Sequence, residues 1–135
     1  MPDTRPIPKT ALVVDDSMLI RHSVCRFLEE RGFFVDSATN GVEALTILDH
    51  FLPDIIITDL AMPRMGGVEL VSRIRQREVF ANTPILVLAA RSSTRHLSAE
   101  LLSSTAAVIF KSIDIETQLG LALDSTLAQH PSHSS

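Results

Sequence analysis

The chain contains no tryptophan and no tyrosine, and its six aromatic residues are all phenylalanine. Cysteine is nearly absent too. One residue, Cys25, can form neither an internal disulfide nor a thiolate zinc centre, which favours a reducing compartment and a cytoplasmic location. No stretch approaches the ~18 apolar residues of a membrane span. The segment from Met1 to Lys9 is polar, carries Pro2, Pro6 and Pro8, and lacks the apolar centre of a secretory leader, so no membrane insertion is expected. Positive charge is also short: twelve Lys plus Arg stand against sixteen Asp plus Glu, net charge -4. That balance argues against nucleic acid as a direct partner, because phosphate contacts need clustered cations.

What is present is an ordinary globular composition, 45% apolar over 135 residues. A chain of this size is one domain by its length and buries roughly two thirds of its unfolded surface. It needs no disulfide or structural metal to fold. The expected organisation is an N-terminal extension over 1–8, one folded unit over 9–128 and a polar, frayed tail over 129–135.

Four short apolar runs stand out: Ala11-Leu12-Val13-Val14, Ile55-Ile56-Ile57, Ile85-Leu86-Val87-Leu88 and Ala107-Val108-Ile109-Phe110. They are continuous rather than alternating, the pattern of strands buried on both faces of a parallel sheet. A fifth run, Phe33 to Ser37, is mixed and reads as an edge strand. Amphipathic segments lie between. Ser17 caps a first helix with Ile20, Val24, Phe27 and Leu28 inward, and Gly32 ends it. Asn40 and Glu43 resemble a capping box for a second, with Val42, Leu45, Leu48 and Leu52 inward and Pro53 as its stop. Leu70, Val71 and Ile74 mark a third, Leu97 and Leu101 a fourth. Asp114 caps a fifth with the stripe Ile115, Leu119, Ala122 and Leu123.

Strand and helix thus alternate five times, which implies a parallel sheet with helices on both faces. Right-handed crossovers leave few topologies. The expected fold is α/β, a flavodoxin-like doubly wound (βα)5 with five parallel strands in the order 2-1-3-4-5.

In open sheets of this kind ligands bind beyond the carboxyl ends of the strands. The residues after the apolar runs are Asp15 and Asp16, then Thr58-Asp59, then Lys111. Each alone has an ordinary use as a cap, turn residue or solvated charge. Together they place three carboxylates and a lysine on one rim from segments almost a hundred residues apart. Grouped carboxylates repel and gain proton affinity unless a cation intervenes. Few protein ligands plus waters suit Mg²⁺ better than Ca²⁺. A carboxylate beside such an ion, with a lysine as second positive charge, fits phosphoryl transfer to Asp59.

Asp15-Asp16, the block Asp59-Leu60-Ala61-Met62-Pro63-Arg64-Met65-Gly66-Gly67, and Lys111 resemble the receiver domain of bacterial response regulators. The resemblance covers roughly residues 9 to 128. It implies that Asp59 accepts a phosphoryl group from the phosphohistidine of a histidine kinase or histidine phosphotransfer protein, or from a small phosphodonor. It also implies Mg²⁺ held by Asp16, Asp59 and the backbone carbonyl of Ala61, with Asp15 acting through water, and Lys111 paired with the phosphoryl oxygens. Gly66-Gly67 fit the family's tight loop, with glycine relieving backbone strain.

The departures bear on output. The family's hydroxyl residue at the end of strand four is here Ala89. Its aromatic residue three before the lysine is Val108, and its proline after the lysine is Ser112, where a cis bond costs about 2.5–4 kcal/mol and trans is expected. With no tyrosine anywhere, a tyrosine switch is excluded. The acceptor chemistry reads as retained and the read-out as altered.

The expected function is a stand-alone signalling phosphoacceptor, not an enzyme with a separate substrate. Its downstream protein contact is expected on the face of the fourth helix, fifth strand and fifth helix. The alternatives are a binding module independent of phosphorylation, or a phosphate sink. A phosphohydrolase of the haloacid-dehalogenase type would need a second aspartate where Ala61 stands. Of the remaining residues, Cys25 reads as a small buried hydrophobe, and the five histidines (His22, His50, His96, His130, His133) lack metal spacing. Arg91, Arg95 and His96 read as a solvated helix end, and Arg73, Arg75 and Arg77 as a polar helix face.

Overall fold

The computed structural model describes residues 9–90, 97–111 and 114–129. Within them β1 (Thr10–Val14), β2 (Phe34–Ala38), β3 (Ile55–Asp59), β4 (Ile85–Ala89) and β5 (Ala107–Phe110) alternate with helices α1 (Met18–Glu30), α2 (Gly41–Leu48), α3 (Gly67–Gln76), α4 (Ala99–Ser103) and α5 (Ile115–Gln129). Every strand pairing is parallel and the order is β2-β1-β3-β4-β5, as the alternation predicts. Arg91, Arg95, His96, Ser112, His130 and His133 lie outside the described residues.

Two apolar layers sandwich the sheet because successive residues of each central strand face opposite sides. Leu12, Val14, Ile56, Ile85 and Val87 pack with Ala44, Leu48, Leu70, Ile74 and Leu101 from α2, α3 and α4. Ala11, Val13, Ile55, Ile57, Leu86 and Leu88 pack with Val24, Leu28, Leu119 and Leu123 from α1 and α5. The continuous apolar runs of β1, β3 and β4 exist because both faces are covered. β2 instead alternates exposed and half-buried residues, as an edge strand should. β5 is the other edge, as the expected order requires, and only the reading of its apolar run as buried on both faces departs, since Ile109 is its one fully buried residue.

Local signals set most helix ends. Ser17 Oγ accepts from Ile20 N, and Gly32, at φ 90, follows the end of α1. Asn40 Oδ1 accepts from Glu43 N at 2.9 Å, but the Glu43 carboxylate returns to Thr39 N rather than to Asn40 N, so the capping box is shifted by one residue. Asp114 accepts from Thr117 at the start of α5.

Three packing expectations need correction. Val42 and Leu52 do not face inward; they are 49% and 63% exposed. The buried stripe of α2 is Gly41, Ala44 and Leu48, which turns the adjacent Val42 outward, and Leu52 lies beyond the helix. Pro53 is not the stop, since α2 ends at Leu48. Leu97 packs against the core from just ahead of α4, whose N-cap is Ser98.

Arg75 is the third. It is not simply part of a polar face with Arg73, which pairs with Glu69, and Arg77, which pairs with Asp49. Its Nη1 donates to the carbonyls of Phe80 and Thr83, both at 2.7 Å, while Nε and Nη2 donate to the carbonyl of Ser104 at 3.1 and 2.8 Å. One guanidinium thereby ties α3 to the entry of β4 and to the end of α4. Burial lowers its proton affinity, yet five fixed donors suit this collection of carbonyls as no lysine could. Arg75→Met should cost about 2 kcal/mol in urea unfolding, and Arg75→Lys should recover less than half of it. Full recovery by lysine would show that charge, not the planar fork, is what matters.

Candidate functional site

The site is built from the carboxyl ends of three parallel strands. The register sets Val14 beside Thr58 and Asp59 beside Leu88, so the residues that follow emerge at one level. Asp15 leaves β1, with its N–H still donating to the carbonyl of Ala38 at the end of β2. Its carboxylate turns back over the start of α1, where Oδ1 accepts from Ser17 N at 2.8 Å. Asp16 is exposed beside it. Asp59 is the last residue of β3 and only 4% exposed. Lys111 follows β5, and its N–H donates to the carbonyl of Ala89 at 3.0 Å.

The side chains converge as the sequence placed them. Lys111 Nζ stands 3.2 Å from Asp15 Oδ2 and 3.0 Å from Asp59 Oδ1. Oxygens of Asp15, Asp16 and Asp59 all lie within 4.8 Å of one another. The backbone N–H of Ala61 donates to Asp59 Oδ1 at 3.4 Å.

Charge and burial work against each other here. Burial first, then the negative charge of Asp15, push the Asp59 carboxyl from 3.8 up to about 6, against the opposing pull of Lys111 and Ala61 N–H. For Lys111 burial alone would favour the neutral amine. The Asp59 hydrogen bond and the charges of Asp15 and Asp59 together outweigh it and hold the ammonium above the usual lysine range. Asp15 Oδ2 is buried and, although within ion-pair reach of Lys111, has no hydrogen-bonding partner among the described residues. A buried anionic oxygen that has an ion-pair neighbour but no hydrogen bond among the described residues, within a set of hard oxygen donors, fits a divalent cation of the Mg²⁺ type.

The loop after Asp59 corrects the reading of its glycines. Its left-handed residue is Arg64, at φ 69, whereas Gly66 sits at an ordinary φ of -75. Gly67 is needed for closeness: a Cβ there would run into the backbone carbonyl of Asp59 and come to 2.8 Å from Leu60 Cα. The loop is closed by Gly67 N–H donating to the Leu60 carbonyl.

The positions marked as altered are split by the structure. Ala89 is fully buried, and Val108 packs on the same apolar layer beneath α4. Sequence reasoning missed Phe110, the register partner of Ala89, which is two residues beyond Val108 and so on the same face. Its signal was available in the two-residue repeat of strands. Also missed were Arg21, whose Nη1 donates to the carbonyl of Asp15 at 2.8 Å, and Gln118 on α5. Both act on backbone atoms, for which sequence carries no motif. Cys25 is half-buried against the α1–α5 layer, with burial and nearby Glu29 pushing its thiol up to about 11, the state of an inert side chain.

A family model described as response regulator receiver domain matches residues 11–122. Among curated relatives, the response regulator Rre1 of Synechocystis sp. is 40% identical over 88 residues, 64% of this chain and 38% of that protein. A 14.6 kDa protein of Leptolyngbya boryana is 35% identical over 103 residues, 76% of this chain and 79% of its own. The chain spans about two fifths or less of the first relatives it matches. Among solved structures, the chemotaxis response regulator CheY4 of Vibrio cholerae superposes with TM-score 0.80 at 32% identity, over 90% of this chain and all of that one. A response regulator described as putative from Chloroflexus aurantiacus gives 0.82 at 29%, covering 90% and 99%. Among the described residues no helix is long and apolar enough to cross a membrane.

Proposed function

Because this chain belongs to the response regulator receiver domain family, the phosphoacceptor fold of two-component signalling, we propose that Asp59 takes a phosphoryl group from the phosphohistidine of a kinase or histidine phosphotransfer protein, or from a small phosphodonor. The observation that carries this reading is the convergence of carboxylate oxygens of Asp15 and Asp59 within 3.2 Å of the Lys111 ammonium nitrogen.

An oxygen of the Asp59 carboxylate forms the new bond to phosphorus as the bond from phosphorus to the donor nitrogen breaks, and the electron pair leaves with the imidazole. The Lys111 ammonium neutralises charge on the transferring oxygens from a fixed position. Asp15, Asp16, Asp59 and the Ala61 carbonyl are the groups to hold Mg²⁺, Asp15 through water. A bound Mg²⁺ supplies further neutralisation of phosphoryl charge. Positioning and charge, not proton relay, are what these residues contribute. The donor has a landing place in a cleft of about 350 Å³ lined by Leu19, Val24, Phe27, Ile115 and Leu119, with Lys111 also on its wall. The signalling unit corresponds to 9–128, although α5 runs one residue further, to Gln129.

Acetyl phosphate with Mg²⁺ should add one phosphoryl mass to the wild-type chain and none to Asp59→Ala. A wild-type chain that gains no mass would remove the phosphoacceptor reading in favour of a binding module. The nucleophile must be ionised, so without metal the rate should fall as pH drops through about 6. A second reading, a phosphate sink, is favoured by Ala89, which is wholly buried and offers no hydroxyl to the phosphoryl group. Amide shifts confined to the acidic site on phosphorylation would support the sink. Shifts reaching α4 would support signalling by the face of α4, β5 and α5.

A further inference from the structure

β5 is an edge strand, so half of its backbone groups face no neighbouring strand. At Phe110 those groups are not left to water. Gln118 Oε1 accepts from Phe110 N at 3.0 Å, and Gln118 Nε2 donates to the Phe110 carbonyl at 2.8 Å. The amide of one α5 side chain thus takes both outward bonds of one residue, as a sixth strand would. Only an amide side chain offers an uncharged donor and acceptor side by side for this. On the other side of β5, Phe110 faces Ala89 in register, and the next N–H, that of Lys111, donates to the Ala89 carbonyl. Gln118 Nε2 also lies 3.3 Å from the Asp114 carbonyl, which anchors it to the first turn of α5.

We propose that Gln118 is a positioning residue for Lys111. It clamps the backbone of the preceding residue so that the ammonium is delivered between Asp15 and Asp59. The inference rests on the phosphoacceptor reading for its consequence but not for its geometry. Lys111 starts at the open end of an edge strand, where backbone pairing is weakest. Its ammonium must nonetheless stay at 3.2 and 3.0 Å from two carboxylates. The clamp supplies the missing restraint at the residue where a small backbone shift moves the ammonium most.

Three chains decide it: wild type, Gln118→Met, which keeps length and helix preference but has no amide, and Gln118→Glu, which keeps the acceptor for Phe110 N–H and loses the donor. The readouts are the ¹⁵N–¹H resonance of the Lys111 ammonium, the rate of Asp59 phosphorylation by acetyl phosphate with Mg²⁺, and thermal unfolding. Gln118→Met should move the Lys111 resonance toward that of a free lysine and slow phosphorylation about tenfold, with Gln118→Glu between. A lower melting temperature with unchanged Lys111 resonance and rate would reduce the clamp to an edge-strand brace and overturn the proposal. If Gln118→Met does not fold, Gln118→Glu decides by the same two signals. A wild type that takes no phosphoryl group while the variants still shift the Lys111 resonance would sink the phosphoacceptor reading and leave the clamp standing. The reverse pattern, normal phosphorylation and an unmoved Lys111, would sink only the clamp.

Discussion

Lys111→Met is expected to cost the fold about 3 kcal/mol at pH 7 and to return most of it on acidification toward pH 5. The physical basis is the burial of two facing anions. Asp15 is fully buried and Asp59 nearly so, and Lys111 is the cation paired with both among the described residues. Removing one partner of a buried ionic group leaves the other uncompensated, a loss of about 3–5 kcal/mol. The lower end applies because Lys111 keeps 20% of its side chain in water and Asp16 opens the rim to solvent. The direction with pH follows from linkage. Asp59 holds its proton up to about 6 in the folded chain against 3.8 as an ordinary carboxyl, so the folded state binds more protons between those values. Its contribution to stability is therefore complete below 3.8 and is lost as pH rises through about 6. Without the lysine the folded value climbs further, and the loss moves to higher pH. Asp59→Asn in the Lys111→Met background should restore stability at pH 7, because one of the two anions is gone. Saturating Mg²⁺ should stabilise Lys111→Met more than wild type, adding about 2.7 kcal/mol at a hundred times its Kd. Urea unfolding at pH 7 and pH 5 provides the check. A variant whose stability is flat over that range would show that the two carboxylates do not repel as their burial requires.

Gly67→Ala should be as damaging, by about 3 kcal/mol and a melting temperature lower by roughly 10 °C, whereas Gly66→Ala should change stability by less than about 1 kcal/mol. The contrast is geometric. At Gly66 a methyl would meet the Leu60 carbonyl at 3.4 Å, an ordinary contact, with φ already suitable for alanine. At Gly67 it would enter the Asp59 carbonyl and the Leu60 backbone, which belong to the end of a central strand and cannot swing aside as a side chain would. Relief requires the start of α3 to lift from β3, which also breaks the Gly67-to-Leu60 hydrogen bond and disturbs the loop behind Asp59. Thermal and urea unfolding of the two alanine variants side by side test this. Equal losses at 66 and 67 would mean that loop conformation, not close approach, sets the need for glycine.

Most of the strand pattern was legible because burial on two faces leaves continuous apolar runs, as in Ile55-Ile56-Ile57 and Ile85-Leu86-Val87-Leu88. Caps were legible because Ser17, Asn40 and Asp114 act within three or four residues of themselves. The readings that failed depended on neighbours far away in sequence. Val42 has the apolarity of a core residue, but which side of α2 meets the sheet is decided by where α3 lies; Met65 packs so closely that any side chain at Gly41 would strike it. Arg75 has the composition of a surface residue and becomes a tie between three elements because carbonyls from residues 80, 83 and 104 happen to converge on it.

The site divides along the same line. The identities of Asp15, Asp16, Asp59 and Lys111 and their meeting on one rim were determined by the sequence alone, since parallel strands bring all their carboxyl ends to one edge of the sheet. The absence of tyrosine and of an aromatic at Val108 was equally plain there. Only the tertiary structure decided that Phe110 lies opposite Ala89, that Gln118 grips its backbone, and that Asp59 sits deep enough to hold its proton up to about 6. Those depend on distances between backbone groups and on exclusion of water, which no residue type announces and which arise only when the layers close.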